Sequence, residues 1–587
     1  MSYFLKKTIP SIKGLYLQIY ENNYIPGVGK RNKSFKKLGY VSELIEAGIK
    51  NPVEYFQKEV DRLNEEAKQS KEKQISNVLP FKNLGYFLVK AMMDKLNFDK
   101  YINVLAANYK SHYKFSDMFR ALIYSQILMP GSKLKAFEKV IPNIYGIETF
   151  SYDQILDAIE FIGSDYHKFI EIFNMLIANE YERNLDRVYF DCTNYYFEID
   201  EENDFLRKGP SKENRKEPLL SQALMLDADQ IPIDTEFFPG NQSEKPLLRN
   251  RVEDMKARNN VTGRVIQVAD KGLNCARNIY SAVVEAKDGY IFSKSIKGTN
   301  LTKEQKEWII SSDDDLNKWV DVKNEDGSTH FKYKTVKTIG KSKRVYDFGV
   351  YEYKCKINPD DTKETKFTVK EKRIVTYNPS LAKKQRREIL KDVEKARTTM
   401  SYKQAIHDEL GSSSKYVNFE ARDIDGRKLK IATSINQEKV DEDLKYCGYN
   451  MLITSEIEAD PIEIYKIYHN LWRIEESFRV MKTYLEARPV FLSSENSIYG
   501  HFTTCYFGLT LMRLLELKVF SDDIPIGQLF EFIRQYNIVM VDPNTYINCS
   551  SPSETYLKIK EKLGLLKLGN AKLTNKDIEL LLKTELD

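Results

Sequence analysis

Three carboxylates are placed where metal-assisted phosphoryl chemistry would need them. Asp191 closes the apolar run Val188-Tyr189-Phe190, and Asp270 closes Val265-Ile266-Gln267-Val268-Ala269. If the two runs are neighbouring parallel strands, both side chains leave one sheet edge within reach of a shared cation. Each aspartate has an ordinary alternative as a turn or cap residue. The third acid, Glu475, falls on a helix expected from Pro461 to about Tyr484. On that helix Ile464, Tyr468, Leu471, Glu475, Phe478 and Lys482 share one stripe, so Glu475 should face inward and Glu476 should be ordinary surface. An inward carboxylate must be answered by a cation, either Lys482 or an arginine, or by a metal. Carboxylates from two strand ends and one helix suit a pair of divalent ions, Mg2+ above all. Such a pair serves in-line displacement at a phosphodiester without a covalent nucleophile from the protein.

Periodicity along the chain indicates the scaffold for these acids. Val188–Asp191, Leu219–Leu226 and Ile231–Phe238 read as three strands, the last two a hairpin around Asp227-Ala228-Asp229-Gln230. A helix from Pro246 to Arg258 leads to the strand ending at Asp270, and Asp288–Lys294 makes a fifth. Three antiparallel strands, a helix and a fourth strand parallel to the first is the element order of an RNase H-like sheet. Before it, 76–185 carries helical apolar periods interrupted at Pro130-Gly131. After it, 296–440 reads as a strand-rich insertion that separates the sheet from the helix bearing Glu475. Within it lie hairpin-like Arg344–Ile357 and Lys366–Val375, the charged helix Leu381–Arg397, and strands Tyr416–Ile424 and Lys428–Ile435. The core resumes over 441–515, and 516–587 reads as helical. The fold class expected is therefore α/β: an RNase H-like mixed-sheet core at 186–295 and 441–515, a β-rich insertion, helical flanking regions, and a small basic α+β arm at 1–75.

In that arm Lys6, Lys7, Lys13, Lys30, Arg31, Lys33, Lys36 and Lys37 are interleaved with Tyr3, Phe4, Tyr16, Tyr20, Tyr24, Phe35 and Tyr40. Two strands, Leu15–Tyr20 and Ser34–Tyr40, joined through Pro26-Gly27-Val28-Gly29, would be backed by a helix over 51–67. Lysine-rich Glu65–Ile75 would then be a linker. A basic sheet of this kind suits DNA, and a solvated basic hairpin is the alternative. The basic helix Leu381–Arg397 has the same two readings.

Bulk composition narrows the class. A chain of 587 residues needs several cores, and 42% hydrophobic with 12% aromatic content supplies them, which excludes a disordered chain. Lys plus Arg number 90 against 85 Asp plus Glu, so charge placement matters more than the net +5. Cys192, Cys275, Cys355, Cys447, Cys505 and Cys549 form no closely spaced pair, so neither a zinc knuckle nor a CxxC motif is present. Scattered thiols, an N-terminus without a signal-peptide run and no apolar stretch of spanning length lead us to expect a cytoplasmic, nucleoid-associated protein with no membrane partner. His469 and His501 lack partners for a zinc site, and His501 reads as a hydrogen-bonded structural residue.

Residues 185–515 resemble the DDE transposases of bacterial insertion sequences, in the group with a strand-rich insertion before the final glutamate. The resemblance rests on Tyr189-Phe-Asp-Cys-Thr193, Val268-Ala-Asp-Lys-Gly272 and Tyr468–Lys482, the last similar to the group's Y-x2-R-x3-E-x6-K signature. Met129-Pro-Gly-Ser-Lys133, Arg488-Pro-Val-Phe491 and Ile498-Tyr-Gly-His501 also look like the group. The resemblance implies Asp191, Asp270 and Glu475 as the catalytic metal ligands for two Mg2+ ions, with Mn2+ able to substitute. It implies Tyr468 and Lys482 as phosphate-holding residues. The signature arginine falls at Leu471, so the grip on DNA would pass to Arg473 and Arg479, with Trp472 either stacking on a displaced base or buried in the core. The activity implied is binding of the element's terminal repeats, metal-dependent cleavage, and strand transfer to target DNA, as a homodimer in the DNA complex. A tyrosine recombinase would need an Arg/His cluster around a tyrosine nucleophile, which is absent from the sequence. A DNA-binding protein that has lost catalysis is the reading from another class.

Overall fold

The computed structural model describes residues 2–11, 14–25, 29–78, 81–107, 114–212, 216–297, 301–311, 318–340, 343–402, 411–424 and 428–586. It divides into two compact units, Met1–Leu84 with Gln535–Pro552 and Leu566–Leu581, and Gly85–Arg534 with Ser553–Leu565 and Leu582–Asp587.

In the first unit, Ser2–Ser11, Gly14–Ile25 and Gly29–Tyr40 form an antiparallel sheet in that order. The helix Pro52–Val78 backs it, with Asn64 exchanging hydrogen bonds with the Tyr3 backbone (2.7 and 2.9 Å) and Lys36 paired to Glu59 at 2.9 Å. The linker expected at Glu65–Ile75 is instead continuous helix. Its Glu, Lys, Gln and Ala residues are strong helix formers with no Gly or Pro among them, and charge density alone does not break a helix. The turn at Pro26, Gly27 and Val28, and the side chains of Lys13, Lys30 and Arg31, lie outside the described residues. The C-terminal stretch expected to be helical contains three strands, Asn537–Asp542, Thr545–Asn548 and Lys572–Thr574, in one sheet with Lys82–Asn83. The β-branched run of the first, closed by Pro543-Asn544, is a hairpin signal that a helical period passes over.

The second unit is mixed α/β around a ten-stranded sheet. Its strands in chain order are β1 (Arg187–Tyr196), β2 (Leu219–Leu226), β3 (Pro232–Pro239), β4 (Ile266–Ala269), β5 (Gly289–Lys294), β6 (Val320–Lys323), β7 (Thr329–Thr335), β8 (Gly349–Cys355), β9 (Thr365–Tyr377) and β10 (Tyr449–Thr454). The spatial order is β6-β7-β9-β10-β5-β4-β1-β2-β3, with β8 paired to β9. β1, β2 and β3 are antiparallel, β4 is parallel to β1, and β5 is parallel to β4. The helix α1 (Lys245–Arg258) links β3 to β4 as anticipated.

Part of the insertion joins this sheet, whereas Thr338–Ile339 with Val345–Tyr346, and Val417–Ile424 with Lys428–Ile435, form separate two-stranded sheets. β6, β7, β8 and β9 extend it through β10, an unanticipated strand that pairs with both β5 and β9. β9 runs over 13 residues, and its second half, Glu371–Thr376, is buried, which fits a strand flanked on both sides. The charged helix read at Leu381–Arg397 is α2 (Pro379–Tyr402).

Apolar side chains of β1 divide by alternation. Val188, Phe190 and Cys192 join a core with Leu248, Val252, Tyr290 and Phe292, whereas Tyr189, Asp191, Thr193 and Tyr195 take the opposite face. Over that second face lie α3 (Pro461–His469), α4 (Trp472–Thr483) and α5 (Glu495–Leu514), α4 packing on β1 and β2. Helices Phe87–Lys95, Phe98–Leu105, Phe115–Leu128, Tyr152–Ser164 and Tyr166–Glu180 complete this side. Tyr152–Ser164 crosses α5 at a glycine pair. A Cβ on Gly163 would stand 1.7 Å from the Asn496 carbonyl oxygen, and one on Gly500 would stand 1.9 Å from that of Ile159.

Candidate active site

β1 and β4 hold their aspartates side by side. The parallel register pairs Phe190 with Ala269, so the next position on each chain carries Asp191 and Asp270. Adjacent strands lie about 4.8 Å apart, which sets the two carboxylates side by side. Asp270 follows the end of β4 as expected, but Asp191, expected to close its strand, lies midway along β1, whose pairing with β2 continues to Tyr196. Asp191 accepts a hydrogen bond from the Cys192 N–H at 2.8 Å. Burial pushes its carboxyl up to about 6, with Asp270 and Glu244 adding to the rise and Lys212 and the Cys192 N–H opposing it. Glu244, at the start of α1, is thus a third acid near Asp191. No sequence motif marks it, because a glutamate at a helix start is an ordinary occurrence. Lys212 reaches the same point from the loop between β1 and β2, its Nζ 3.9 Å from Asp191 Oδ1 and donating to the Cys192 carbonyl.

α3 and α4 arrange the signature residues. Tyr468 donates its hydroxyl to Asp270 Oδ1 at 3.2 Å, and burial together with Asp270 pushes the Tyr468 phenol well above its usual range. The expected single helix from Pro461 to Tyr484 is interrupted at Asn470-Leu471. The N–H groups of Leu471, Arg473 and Ile474 bond three residues back, to Tyr468, Asn470 and Leu471. Leu471 and Phe478 are buried on the expected stripe, but Glu475 between them is not, so the inward placement of Glu475 does not hold. Glu475 is exposed, and among the described residues no hydrogen bond or ion pair engages it. Glu476, expected on the surface, is instead the ion-paired residue. It accepts from Arg473 (3.0 Å), from the fully buried Arg513 (2.9 Å) and from Arg479 (3.3 Å). Arg513 also pairs with the buried Glu516, and Arg473 with Asp522.

The Lys482 ammonium stands 5.3 Å over the Tyr195 ring. Among the described residues no three His, Cys, Asp or Glu side chains converge closely enough to hold a metal ion as a set. Asp191 and Asp270 are brought together by their register, whereas Glu475 does not join them in a set.

The remaining candidates separate by exposure. Trp472 is 40% exposed, so it is not a core residue, and the Arg473 guanidinium covers its ring at 4.3 Å. Arg473 is committed to internal acids and Arg479 is open to solvent. Leu471, at the signature arginine position, is buried. His501 is structural, its Nε2 3.1 Å from the Ala487 carbonyl oxygen, and it lies near the buried Lys133, which donates to Gln126 at 3.0 Å. A cavity of about 300 Å³ is lined by Lys271, Lys294, Lys297 and Lys415 together with Glu388, Asp392 and Asp443. Among the described residues no helix is long and apolar enough to cross a membrane.

No family model matches the chain, and no curated protein matches it. Among solved structures, a piggyBac transposase synaptic complex with hairpin DNA is similar at a TM-score of 0.36 and 9% identity, over 78% of this chain and 79% of that one. Similarity at that level assigns no activity and no site residue here.

Proposed function

We propose that the protein is a DDE-type transposase that binds the ends of its own insertion sequence and carries out metal-dependent cleavage and strand transfer. The observation that carries this reading is the pairing of Asp191 with Asp270 on adjacent parallel strands, under a helix pair bearing Tyr468, Glu475 and Lys482. The order β3-β2-β1-β4-β5, with only β2 antiparallel to its neighbours, supports an RNase H-like core for the enzyme.

The acids fit a hard divalent cation. Their donors are all oxygen, and like charges crowd Asp191 while burial raises its carboxyl to about 6, a strain that a cation would relieve. Asp191 and Asp270 would hold Mg2+, with Glu475 completing the set from α4. When bound, a pair of such ions supplies polarisation of the scissile phosphate and stabilisation of the departing oxygen. Tyr468 orients the Asp270 carboxylate through its hydroxyl. Lys482, and Arg479 on the exposed side of α4, hold strand phosphates. Two copies of the chain would act together, one on each end.

A second reading, a binding protein without catalysis, is favoured by one feature: Leu471 buried where the signature calls for arginine. Incubating the protein with a supercoiled plasmid carrying the DNA that flanks its own gene separates the two. We expect cleavage with Mg2+, none with EDTA, and losses of about a thousandfold in Asp270→Ala and Glu475→Gln. Binding of the ends without cleavage would favour the second reading, and cleavage indifferent to EDTA would sink the first.

A further inference from the structure

The loop between β1 and β2 delivers a lysine into the acid group. Asn194 on β1 fastens that loop, donating to the Pro210 carbonyl at 2.9 Å and accepting from the Lys212 N–H at 3.4 Å. Gly209 lets the loop lie against residue 240, since a Cβ there would stand 2.0 Å from the Gly240 carbonyl oxygen. The ammonium of Lys212 consequently sits 3.9 Å from Asp191 Oδ1 and on the Cys192 carbonyl. Among the charges that act most strongly on Asp191 it is the cation, set against Asp270 and Glu244. Its side chain is 45% exposed, so it has room to swing away.

We infer that Lys212 is a resident counter-cation, occupying the Asp191 side of the site until a divalent ion displaces it. This rests on the reading of Asp191 and Asp270 as metal ligands. A charge that stabilises the metal-free acids opposes metal entry by the same amount, because the ion must break the Lys212–Asp191 contact. Lys212 is thus a positioning residue: it keeps the acids assembled without metal and sets the metal concentration at which they fill.

The test is Mn2+ binding by isothermal titration to the full chain without DNA. Lys212→Met should bind roughly two- to fivefold more tightly than wild type. Lys212→Arg, which keeps the charge, should match wild type. Lys208→Met removes a charge from an exposed position of the same loop and should leave the affinity unchanged. Unchanged or weaker binding in Lys212→Met, with Asp191→Asn still abolishing binding, would overturn the role of Lys212 alone. No binding by wild type and Lys212→Met alike, or binding indifferent to Asp191→Asn, would overturn the metal-ligand reading and this inference with it.

Discussion

Glu475 and Glu476 are one position apart on α4, and the helix turns them about 100° from each other. Glu476 lies between Arg473 and Arg513, the latter fully buried, whereas Glu475 is exposed. Removing Glu476 leaves Arg513 with Glu516 as its remaining acid, so Glu476→Ala should cost about 3 kcal/mol and lower the urea midpoint. Glu475→Gln should move stability by no more than about 0.5 kcal/mol while abolishing cleavage. Equal destabilisation by both changes would contradict this division of labour. The sequence singled out Glu475 through its signature but assigned it the wrong face. Leu471 and Phe478 of the same stripe are buried as read, so periodicity found the apolar stripe but not how far its cover extends over Glu475. Lys212 and Glu244 could not be read from sequence either, because each reaches Asp191 through a loop or a helix start.

At the level of elements, β1 to β5 were legible because their apolar runs are short and bounded, and because alternating and helical periods change sharply at Arg187. The parallel pairing of β1 with β4 followed from element order. β10 was missed because Met451-Leu452-Ile453 is too short to distinguish from the start of a helix. It is also the strand through which the inserted strands β6 to β9 join the core sheet. The crossing of Tyr152–Ser164 with α5 is likewise invisible in sequence, since Gly163 and Gly500 only acquire meaning when the helices meet. Gly500→Ala should push against the Ile159 carbonyl and cost about 1–3 kcal/mol, read as a fall in melting temperature. A variant as stable as wild type would show that the two helices can separate without loss.

Across the whole molecule, net charge distinguishes little at +5, and the informative cation is the one set against the acids, Lys212. Backbone hydrogen bonds run without a break from β6 through β10 to β3, so the inserted strands cannot open without exposing ladder groups of β10, which is itself paired with β5. Local opening should therefore not be confined to the insertion. Amides of β9 and β10 should exchange with solvent deuterium as slowly as those of β1 and β4, in a single protected class. Faster exchange confined to β9 and β10 would mean a seam at β5–β10. If the class is single, the insertion and the strands that carry the aspartates are one cooperative unit. A destabilising change in an inserted strand would then loosen the aspartates too, by raising the frequency with which the whole sheet opens.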